Sequence, residues 1–478
     1  MIGMLCLRKW ICYTKVRGNH LVHRNDNKLH HSIPTRINTD APLRFKILCV
    51  IVGIGITLRV VTALYFGNWI IEMPGVTDQI TYHSLGIRLS EGYGFTFDRP
   101  WWPATQPGEP TAHWSYFYSF FVAGMYQLFG QSPILVRLVQ AILVGILQPL
   151  LIYQIGKTTF NPFVGLVAAT LISGYAYFVY YAGAVMTESF YITALLGVFA
   201  IALRLAQRKI PNLSTPKPAL SLALGLGLVV GLTILLRQVF LLFLPILFVW
   251  VLYKRRKSRL THAFLELGLS TIVIFSIILP FTLYNYQRFD KFVLLNTNAG
   301  FAFYWGNHPV YGTQFESIIT PETGNYLELL PVELKGLNEA QLDSALLQRG
   351  IQFVIDDPVR YILLSLSRIP GYFMFWPSPT SSMLSNISRV FSFGLLFPFM
   401  IYGLLLVFCR KTPRFKLDSP AALLILFAIV YTLIHLLTWT LIRYRLPVDA
   451  VMLPFAAHAL VDLFLRFSSK KINPSIQA

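Results

Sequence analysis

Long apolar runs, separated by polar segments, recur along nearly the whole chain. A helix needs about twenty predominantly apolar residues to cross a bilayer, and ten runs come close to or exceed that length. Two shorter runs, at 116–130 and 361–376, are aromatic and ambiguous. The pattern predicts an all-α polytopic membrane protein with about 10–12 transmembrane helices. The ten runs cover residues 44–66, 133–155, 162–182, 186–205, 218–235, 237–253, 262–284, 388–409, 420–440 and 446–466.

The composition supports this class. The chain has 478 residues, of which 55% are hydrophobic and only 13% are charged, too few charges to cover a soluble protein of this length. The formal net charge of +19 suggests nucleic acid as the partner of a soluble protein. Here the basic residues collect between apolar runs, as they do in cytoplasmic loops that face anionic lipid. Membrane lipids, and not nucleic acid, are therefore the expected partners.

The distribution of charge predicts the orientation. The outer segments, about 68–115 and 285–360, hold fourteen of the 21 acidic residues. Ten spans place both outside if the two short aromatic runs do not cross, whereas twelve spans fit less well. The chain then divides into a basic cytoplasmic tail (1–43), a membrane domain (44–467) and a cytoplasmic C-terminal tail (468–478). The other basic clusters predicted to be cytoplasmic are Arg204, Arg208, Lys209 and Lys217; Lys254, Arg255, Arg256, Lys257 and Arg259; Arg410, Lys411, Arg414 and Lys416; and Lys470 and Lys471.

One amphipathic helix is predicted in the second outer segment. Its apolar positions recur at roughly helical spacing, and Asp357-Pro358 ends or kinks the run. These apolar positions are Ala340, Leu342, Ala345, Leu346, Phe353 and Val354.

The sequence predicts no metal and no cofactor. The cysteines form no CxxC pair and none lies in an outer segment, so they indicate neither disulfides nor zinc. The outer histidines lack metal-ligand spacing, and no GxGxxG or Walker pattern is present. The residues concerned are Cys6, Cys12, Cys49, Cys409, His83, His113 and His308.

Several polar and charged residues are predicted to lie at the same, outer side of the membrane. Charged groups at membrane depth cost about 2.5–3.5 kcal/mol each, so they face a protein interior or a cavity. Arginine binds phosphate through paired hydrogen bonds, and a carboxylate can take a proton from a hydroxyl. A lipid phosphate would sit at this depth. The charged residues are Asp78, Glu188, Arg237, Arg443 and Arg445.

Each of these residues also has a simpler interpretation. Arg443 and Arg445 can anchor a helix end by snorkelling. Glu188 can pair with Arg237 or cap its helix, because it lies where first-turn residues belong. Asp78 can equally be a loop carboxylate or a helix cap.

Four short motifs occur in order along most of the chain. Each motif alone is weak, but four in sequence are moderately specific. They are Asp78 with Tyr82 and Gly92-Tyr93-Gly94; Met186-Thr187-Glu188; Asn285-Tyr286 with Asn298-Ala299-Gly300 and Gly306-Asn307; and Arg443-Tyr444-Arg445-Leu446-Pro447.

In these motifs the chain resembles the family 39-type membrane glycosyltransferases of the glycosyltransferase-C superfamily, which include protein O-mannosyltransferases and aminoarabinose transferases. The resemblance implies a glycosyltransferase-C-like helical bundle with two extracytoplasmic loops. It also implies transfer from a polyprenyl-phosphate sugar donor to a lipid, glycan or protein acceptor. Asp78 matches the family's first-loop aspartate and would act as base on the acceptor, with inversion in one step. Arg443, Arg445 and Arg237 would then bind the donor phosphate.

The same resemblance suggests which residues line the substrate pocket and where the enzyme works. The expected location is an integral membrane protein of a bacterial inner membrane, with the active site on its extracytoplasmic side. The candidate pocket residues are Tyr82, His113, Glu188, Asn307 and His308.

The chain departs from the family pattern in two places. Many members have Asp-Glu where this chain has Asp78-Gln79, which leaves Asp78 as the only base there. Many also have a Pro-Pro pair where this chain reads Pro110-Thr111-Ala112-His113-Trp114. The second departure suggests a different acceptor pocket, which His113 and Trp114 would line.

Two other functions remain open from the sequence. A transporter or flippase of a lipid-linked or small anionic substrate is the first alternative. Transporters usually carry repeated, interrupted helices with polar residues at the membrane midplane, whereas here the polar residues gather at the outer boundary. A polysaccharide polymerase or ligase is the second. The sequence identifies neither the sugar nor the acceptor.

Overall fold

The computed structural model describes residues 40–73, 76–103, 105–208, 218–257, 260–316, 326–379, 381–409 and 415–470. The regular secondary structure in these ranges is helical, and extended structure is limited to isolated bridges. Most of the predicted N-terminal tail and the residues after Lys470 lie outside the described part. So do the following predicted or candidate residues: Cys6, Cys12, Lys209, Lys217, Arg259, Arg410, Lys411, Arg414 and Lys471.

Sixteen helices, numbered here in chain order, make up the described part of the chain. Short 3₁₀ turns precede two of them, at Gln238–Leu242 and Ile442–Arg445. The helices are α1 (Ala41–Phe66), α2 (Gln79–Ser90), α3 (Tyr116–Phe129), α4 (Pro133–Thr159), α5 (Pro162–Gly174), α6 (Ala176–Ala182), α7 (Glu188–Gln207), α8 (Leu220–Leu236), α9 (Leu244–Lys254), α10 (Leu260–Phe289), α11 (Ala299–Gly306), α12 (Glu339–Asp356), α13 (Pro358–Tyr372), α14 (Met383–Cys409, with one π turn), α15 (Pro420–Leu437) and α16 (Leu446–Lys470).

All ten predicted apolar runs lie in helices. In the described residues, seven helices are long and apolar enough to cross a membrane: α1, α4, α7, α10, α14, α15 and the segment Ile442–Ser468 that includes α16. Helices α5 and α6 form an eighth candidate span, bent by 54°. Helices α8 and α9 are apolar but shorter. The predicted all-α polytopic membrane fold is therefore confirmed.

The two ambiguous aromatic runs form helices that are too short to cross. Helix α3 has 14 residues and α13 has 15. At 1.5 Å per residue they extend over roughly 21–23 Å, against a hydrocarbon core of about 30 Å. By the same measure α9, with 11 residues, is also short, so helix length alone supports seven or eight candidate spans in the described residues.

Contacts between loops fall into two separate groups. At one end of the bundle, Arg237 pairs with Glu188, and the side chain of Gln238 donates to the carbonyl of Asn296 at 3.0 Å. These residues belong to segments that were placed outside. The second group joins segments that were predicted to be cytoplasmic. Arg255 pairs with Glu266, and Arg256 pairs with Asp418 at 3.4 Å. The Trp250 indole donates to the carbonyl of Leu417 at 2.9 Å.

A buried arginine holds the bend between α5 and α6. The guanidinium of Arg59 is fully buried and donates to the carbonyls of Ile172 and Ser173, in the last turn of α5. It also donates to the side-chain oxygen of Gln148 at 2.9 Å. Carbonyls at the end of a helix lack partners within that helix, so Arg59 satisfies groups that the bend exposes.

Glu339 joins the two outer segments. It is the first residue of α12 and is buried. Its carboxylate accepts hydrogen bonds from the Thr105 hydroxyl and the Ala112 N–H, both at 2.8 Å, and from the Thr297 hydroxyl. Helix α12 itself is the predicted amphipathic helix, and Asp357-Pro358 separates it from α13.

Candidate active site

Asp78 and Arg443 form an ion pair across one end of the bundle. A terminal nitrogen of Arg443 lies 2.9 Å from one carboxylate oxygen of Asp78, and the other donates to the second oxygen at 3.3 Å. Asp78 directly precedes α2, but its side chain makes no capping hydrogen bond there. The carboxylate, 20% exposed, is therefore turned toward Arg443 and not toward its own helix.

Glu188 and Arg237 extend this pair into a network of four charges. Arg237 donates to Glu188 at 2.5 Å, and the Nε of Arg443 lies 3.9 Å from the same carboxylate oxygen. Glu188 is 2% exposed, while the two arginines are 16% and 12% exposed. The predicted pairing of Glu188 with Arg237 is thus present. We call Asp78, Arg443, Glu188 and Arg237 the four-charge network.

Four separate elements supply this network. Asp78 precedes α2, and Glu188 is the first residue of α7. Arg237 lies between α8 and the 3₁₀ turn that follows it, and Arg443 lies in the 3₁₀ turn before α16. The Tyr444 ring lies beneath both guanidinium groups, 5.5 Å from each. The negative side chain at the start of α7 is also favoured by the helix dipole.

Tyr82 lies beside the network, one turn after Asp78 on α2. Burial raises the pKa of the Tyr82 hydroxyl well above its usual range, and the charge of Asp78 raises it further. The hydroxyl oxygen accepts a long hydrogen bond from the Ser115 N–H at 3.4 Å. Tyr82 therefore stays protonated and keeps an O–H donor close to Asp78.

His113 is buried where the two outer segments meet. Its Nδ1 lies 3.0 Å from the carbonyl of Thr297, and burial lowers the pKa of the imidazole. Because a carbonyl only accepts, Nδ1 carries the proton in this contact. His113 contacts the rings of Trp102 and Trp114, so it belongs to the aromatic surroundings of the site.

Asn307 and His308 hold the second outer segment together. Asn307 is fully buried, and its side-chain oxygen accepts a hydrogen bond from Arg368 at 2.9 Å. His308 accepts from the Val310 N–H at 3.2 Å and contacts Phe353 of α12. Burial, and then the charge of nearby Arg360, lower the pKa of His308 to about 4. The contacts of both residues are structural ones within this segment and α13.

Arg445, predicted to bind the donor phosphate, lies apart from the four-charge network. Its guanidinium is fully buried, 3.0 Å from Asp449 on the next turn of α16, and it donates to the carbonyl of Tyr372 at 2.7 Å. It also lies 3.5 Å above the Phe393 ring. The structure thus directs Arg445 into the bundle, where it fixes the start of α16.

Arg137 also lies near the site, although the sequence motifs do not include it. It is fully buried and donates to the side-chain oxygen of Gln79 at 3.1 Å and to the carbonyls of Trp69 and Gly183 at 2.6 Å and 2.8 Å. Gln79 also donates to the carbonyl of Ile71. Both polar atoms of the Gln79 side chain are therefore hydrogen-bonded, and Gln79 is the residue that stands where many family members have a second acid. The same bonds fix the start of α2 beside Asp78. The sequence did contain one indication of its importance: Arg137 is a charged residue inside the long apolar run 133–155, and such residues usually have a buried polar partner.

The network offers two kinds of chemistry. Its guanidinium groups are partly shielded from water, where bidentate binding of a phosphate is strong. The Asp78 carboxylate can accept a proton once its bonds to Arg443 are exchanged for others. The described residues contain no group of three His, Cys, Asp or Glu side chains close enough to hold a metal ion.

Comparisons with known proteins agree with this architecture. The family model described as dolichyl-phosphate-mannose-protein mannosyltransferase matches residues 113–281, about a third of the chain. The archaeal oligosaccharyltransferase AglB from Archaeoglobus fulgidus, solved with an inhibitory peptide and a dolichol-phosphate, has a similar fold, with a TM-score of 0.57 and 19% identity. The match covers 91% of this chain and 52% of that chain.

A second similar structure is ArnT from Cupriavidus metallidurans bound to undecaprenyl phosphate, with a TM-score of 0.50 and 15% identity. That match covers 88% of this chain and 61% of that chain. No curated protein matches the sequence significantly. The chain spans about half the length of the archaeal oligosaccharyltransferase structures to which it is similar.

The fold and these neighbours define the class: an integral membrane protein with the glycosyltransferase-C fold. Within that class, residues 113–281 match the dolichyl-phosphate-mannose-protein mannosyltransferase family. The resemblance predicted from the four motifs is therefore confirmed.

Proposed function

We propose that the protein transfers a sugar from a polyprenyl-phosphate donor to a lipid, glycan or protein acceptor on the extracytoplasmic side of a bacterial inner membrane. The observation that carries this proposal is the pairing of Asp78 with Arg443 inside the four-charge network. It brings together a carboxylate suited to act as base and a guanidinium suited to bind phosphate, contributed by the first and the fourth motif, in a glycosyltransferase-C fold. The names of the neighbours support a lipid phosphate as ligand, because AglB and ArnT were solved with a dolichol-phosphate and with undecaprenyl phosphate.

In this mechanism Asp78 accepts the proton of the acceptor nucleophile. The nucleophile attacks the anomeric carbon from the face opposite the phosphate, and the bond between that carbon and the phosphate oxygen breaks. The electron pair leaves with the polyprenyl phosphate, and the configuration at the anomeric carbon inverts. A phosphate is a good leaving group, so no second acid is required, unlike in the two-carboxylate glycosidases.

The two arginines bind the leaving phosphate. Arg443 and Arg237 are bridged by Glu188, so both point toward the same volume. Positive groups fixed in a partly dry site stabilise the charge that develops on the departing phosphate. Arg445, whose charge is matched by Asp449, supports this geometry by anchoring the turn that carries Arg443.

Donor binding and base activation are coupled in this arrangement. Arg443 donates to Asp78, so a phosphate that binds Arg443 competes with the Asp78 carboxylate for the same N–H groups. The exchange transfers Arg443 to the phosphate and leaves Asp78 able to accept the acceptor's proton. The donor therefore binds first, and the base becomes available only when a donor is present.

The remaining pocket candidates shape the site around the acceptor. Tyr82 offers its hydroxyl as a donor to the acceptor, and His113 lines the acceptor side where the two outer segments meet. Glu188 orients the arginines. Asn307 and His308 hold the second outer segment in place around the pocket.

The first test is whether purified protein in lipid vesicles consumes a polyprenyl-phosphate sugar. Vesicles receive a panel of undecaprenyl-phosphate and dolichyl-phosphate sugars, with water as the acceptor, and release of free sugar and free polyprenyl phosphate is followed by mass spectrometry. We expect wild type to consume at least one donor. Movement of a lipid-linked sugar between leaflets without release of polyprenyl phosphate would instead establish the transporter alternative.

A further inference from the structure

Four tryptophans from three segments of the chain converge beside the four-charge network. Trp102 and Trp114 come from the first outer segment, Trp305 from α11 in the second, and Trp439 from the loop before α16. The Trp102 ring stacks on Trp305 at 5.4 Å, and Trp305 meets Trp439 edge-on at 6.3 Å. The Trp114 ring lies 6.1 Å from Trp102. We call these four residues the tryptophan cluster.

The cluster borders the network on two sides. Trp114 contacts the ring of Tyr82, at 5.9 Å, and Tyr82 lies one turn after Asp78. At the other side, Trp439 precedes the 3₁₀ turn that carries Arg443. A group attached to a phosphate on Arg443 would therefore lie next to the cluster.

The cluster is not explained by membrane anchoring. Anchoring tryptophans sit at the headgroup level with their rings facing the bilayer boundary. Trp305 is fully buried and Trp114 is 8% exposed, whereas Trp69 at the same end is 64% exposed. Trp69 fits the anchoring role, and the cluster faces the protein interior.

Two features of the cluster point to a ligand with both an apolar face and polar edges. Trp102 leaves 39% of its surface exposed although its neighbours are buried, so one aromatic surface is available. The indole N–H groups of Trp114 and Trp439 are buried and have no hydrogen-bond partner. Most buried donors in proteins are paired, so an unpaired one calls for a specific explanation.

We propose that the tryptophan cluster binds a pyranose ring. The ring stacks its C–H face on the exposed surface of Trp102. Its entry opens the cluster, so that its hydroxyls accept hydrogen bonds from the indole N–H groups of Trp114 and Trp439, which are buried and unpaired without a ligand. A prenyl chain provides no acceptor for those two donors, whereas a sugar provides both an apolar face and acceptors. The inference rests on the proposed function, and the sugar belongs either to the donor or to a glycan acceptor.

The direct test needs no turnover. Saturation-transfer-difference NMR is recorded on protein in nanodiscs with a panel of methyl pyranosides. We expect a signal with wild type, at least a tenfold loss of affinity in Trp102→Ala, a smaller loss in Trp102→Phe, and no change in Trp69→Ala. Absence of any wild-type signal, or equal signals in Trp102→Ala and Trp69→Ala, overturns the proposal even if the protein transfers sugars.

A second measurement identifies which sugar binds. Binding of an accepted lipid-linked donor is compared with binding of bare undecaprenyl phosphate. If the cluster holds the donor sugar, Trp102→Ala weakens donor binding about tenfold and leaves binding of the bare lipid phosphate unchanged. If the cluster holds the acceptor sugar, Trp102→Ala leaves the affinities for the donor and for the bare lipid phosphate unchanged, and it raises the KM for the acceptor about tenfold. Unchanged binding and unchanged KM contradict the proposal while leaving the transferase function intact.

Discussion

Arg443 holds both carboxylate oxygens of Asp78, with distances of 2.9 Å and 3.3 Å, although the two residues stand 365 positions apart in the chain. Asp78 was predicted as the base and Arg443 as a phosphate ligand, so the pair joins the two roles in one contact. A base that is bound to an arginine is poorly able to accept a proton. Its pairing with Arg443 therefore makes the reactivity of Asp78 depend on whatever else binds Arg443.

The first prediction concerns competition for Arg443. Asp78→Asn removes the competing negative charge and should tighten binding of undecaprenyl phosphate by about fivefold to tenfold, or roughly 1–1.4 kcal/mol. Arg443→Ala should weaken it at least about tenfold, because a charge-assisted bidentate contact is lost. Binding is measured by native mass spectrometry or by titration in nanodiscs. Asp98→Asn, an exposed carboxylate of the same segment, is the matched control. Weaker binding of undecaprenyl phosphate by Asp78→Asn would contradict the idea that the phosphate displaces Asp78 from Arg443.

The second prediction concerns the Glu188–Arg237 pair. Removing one partner of a buried ion pair leaves an uncompensated charge and typically costs about 3–5 kcal/mol. Glu188→Gln and Arg237→Gln should each lower thermal stability in detergent, and the double variant should recover part of that loss. Glu72→Gln at an exposed position should change nothing. A double variant whose loss equals the sum of the single losses would show that the pair is not coupled.

The third prediction concerns Glu339, the residue that joins the outer segments. Glu339→Ala leaves three buried donors without an acceptor, each costing about 1–3 kcal/mol. Hydrogen exchange should therefore rise around residues 105–112 and 297. Glu339→Gln keeps one side-chain oxygen, so the rise should be smaller. Equal protection in wild type and Glu339→Ala would rule out this role.

The fourth prediction concerns Asp343 and pH. Its carboxylate accepts hydrogen bonds from the N–H groups of Gly300 and Phe301, at 2.8 Å and 3.1 Å. Burial nevertheless raises the pKa of Asp343 to about 6, above the value of about 3.9 in an unfolded chain. The folded state therefore binds the proton of Asp343 more tightly than the unfolded chain does. The stability gained from this proton is fully present below about pH 4 and is lost as the pH rises through about 6.

This pH effect is measurable at α11. Protection of α11 against hydrogen exchange, corrected for intrinsic rates, should be greater at pH 5 than at pH 7.5 in wild type. Asp343→Asn keeps an oxygen acceptor without a charge, so its protection should be independent of pH in this range. A pH dependence that persists unchanged in Asp343→Asn would assign the effect to another group.

The spanning helices were predictable because a bilayer imposes a length and an apolar composition that can be read directly. Every predicted run is largely helical, although the run at 162–182 is divided between α5 and α6. Helix α2 was not predicted, because it lies in a polar segment and its first turn is held by a distant residue, Arg137. The bend at Tyr175 was also missed, since an apolar run gives no sign of where buried Arg59 stabilises a break.

The site was predictable only in part. The motifs contain Asp78, Glu188 and Arg443, and the pairing of Glu188 with Arg237 was expected as one alternative. No pattern in the sequence indicates that Asp78 pairs with Arg443. Arg445 points into the bundle because it pairs with Asp449, four residues later. This i, i+4 spacing could have been recognised in the sequence. The contacts of Glu339 involve residues far apart in the chain and had no sequence signal.

The central claim is that Asp78 is the base of a sugar transfer from a lipid phosphate. The most direct test is a single-turnover experiment on protein preloaded with an accepted polyprenyl-phosphate sugar, which compares wild type, Asp78→Asn and Asp98→Asn. We predict that Asp78→Asn binds the donor at least as tightly as wild type but forms product at least about a hundredfold more slowly, the scale of general base catalysis, while Asp98→Asn behaves as wild type. Turnover by Asp78→Asn at the wild-type rate would contradict the account.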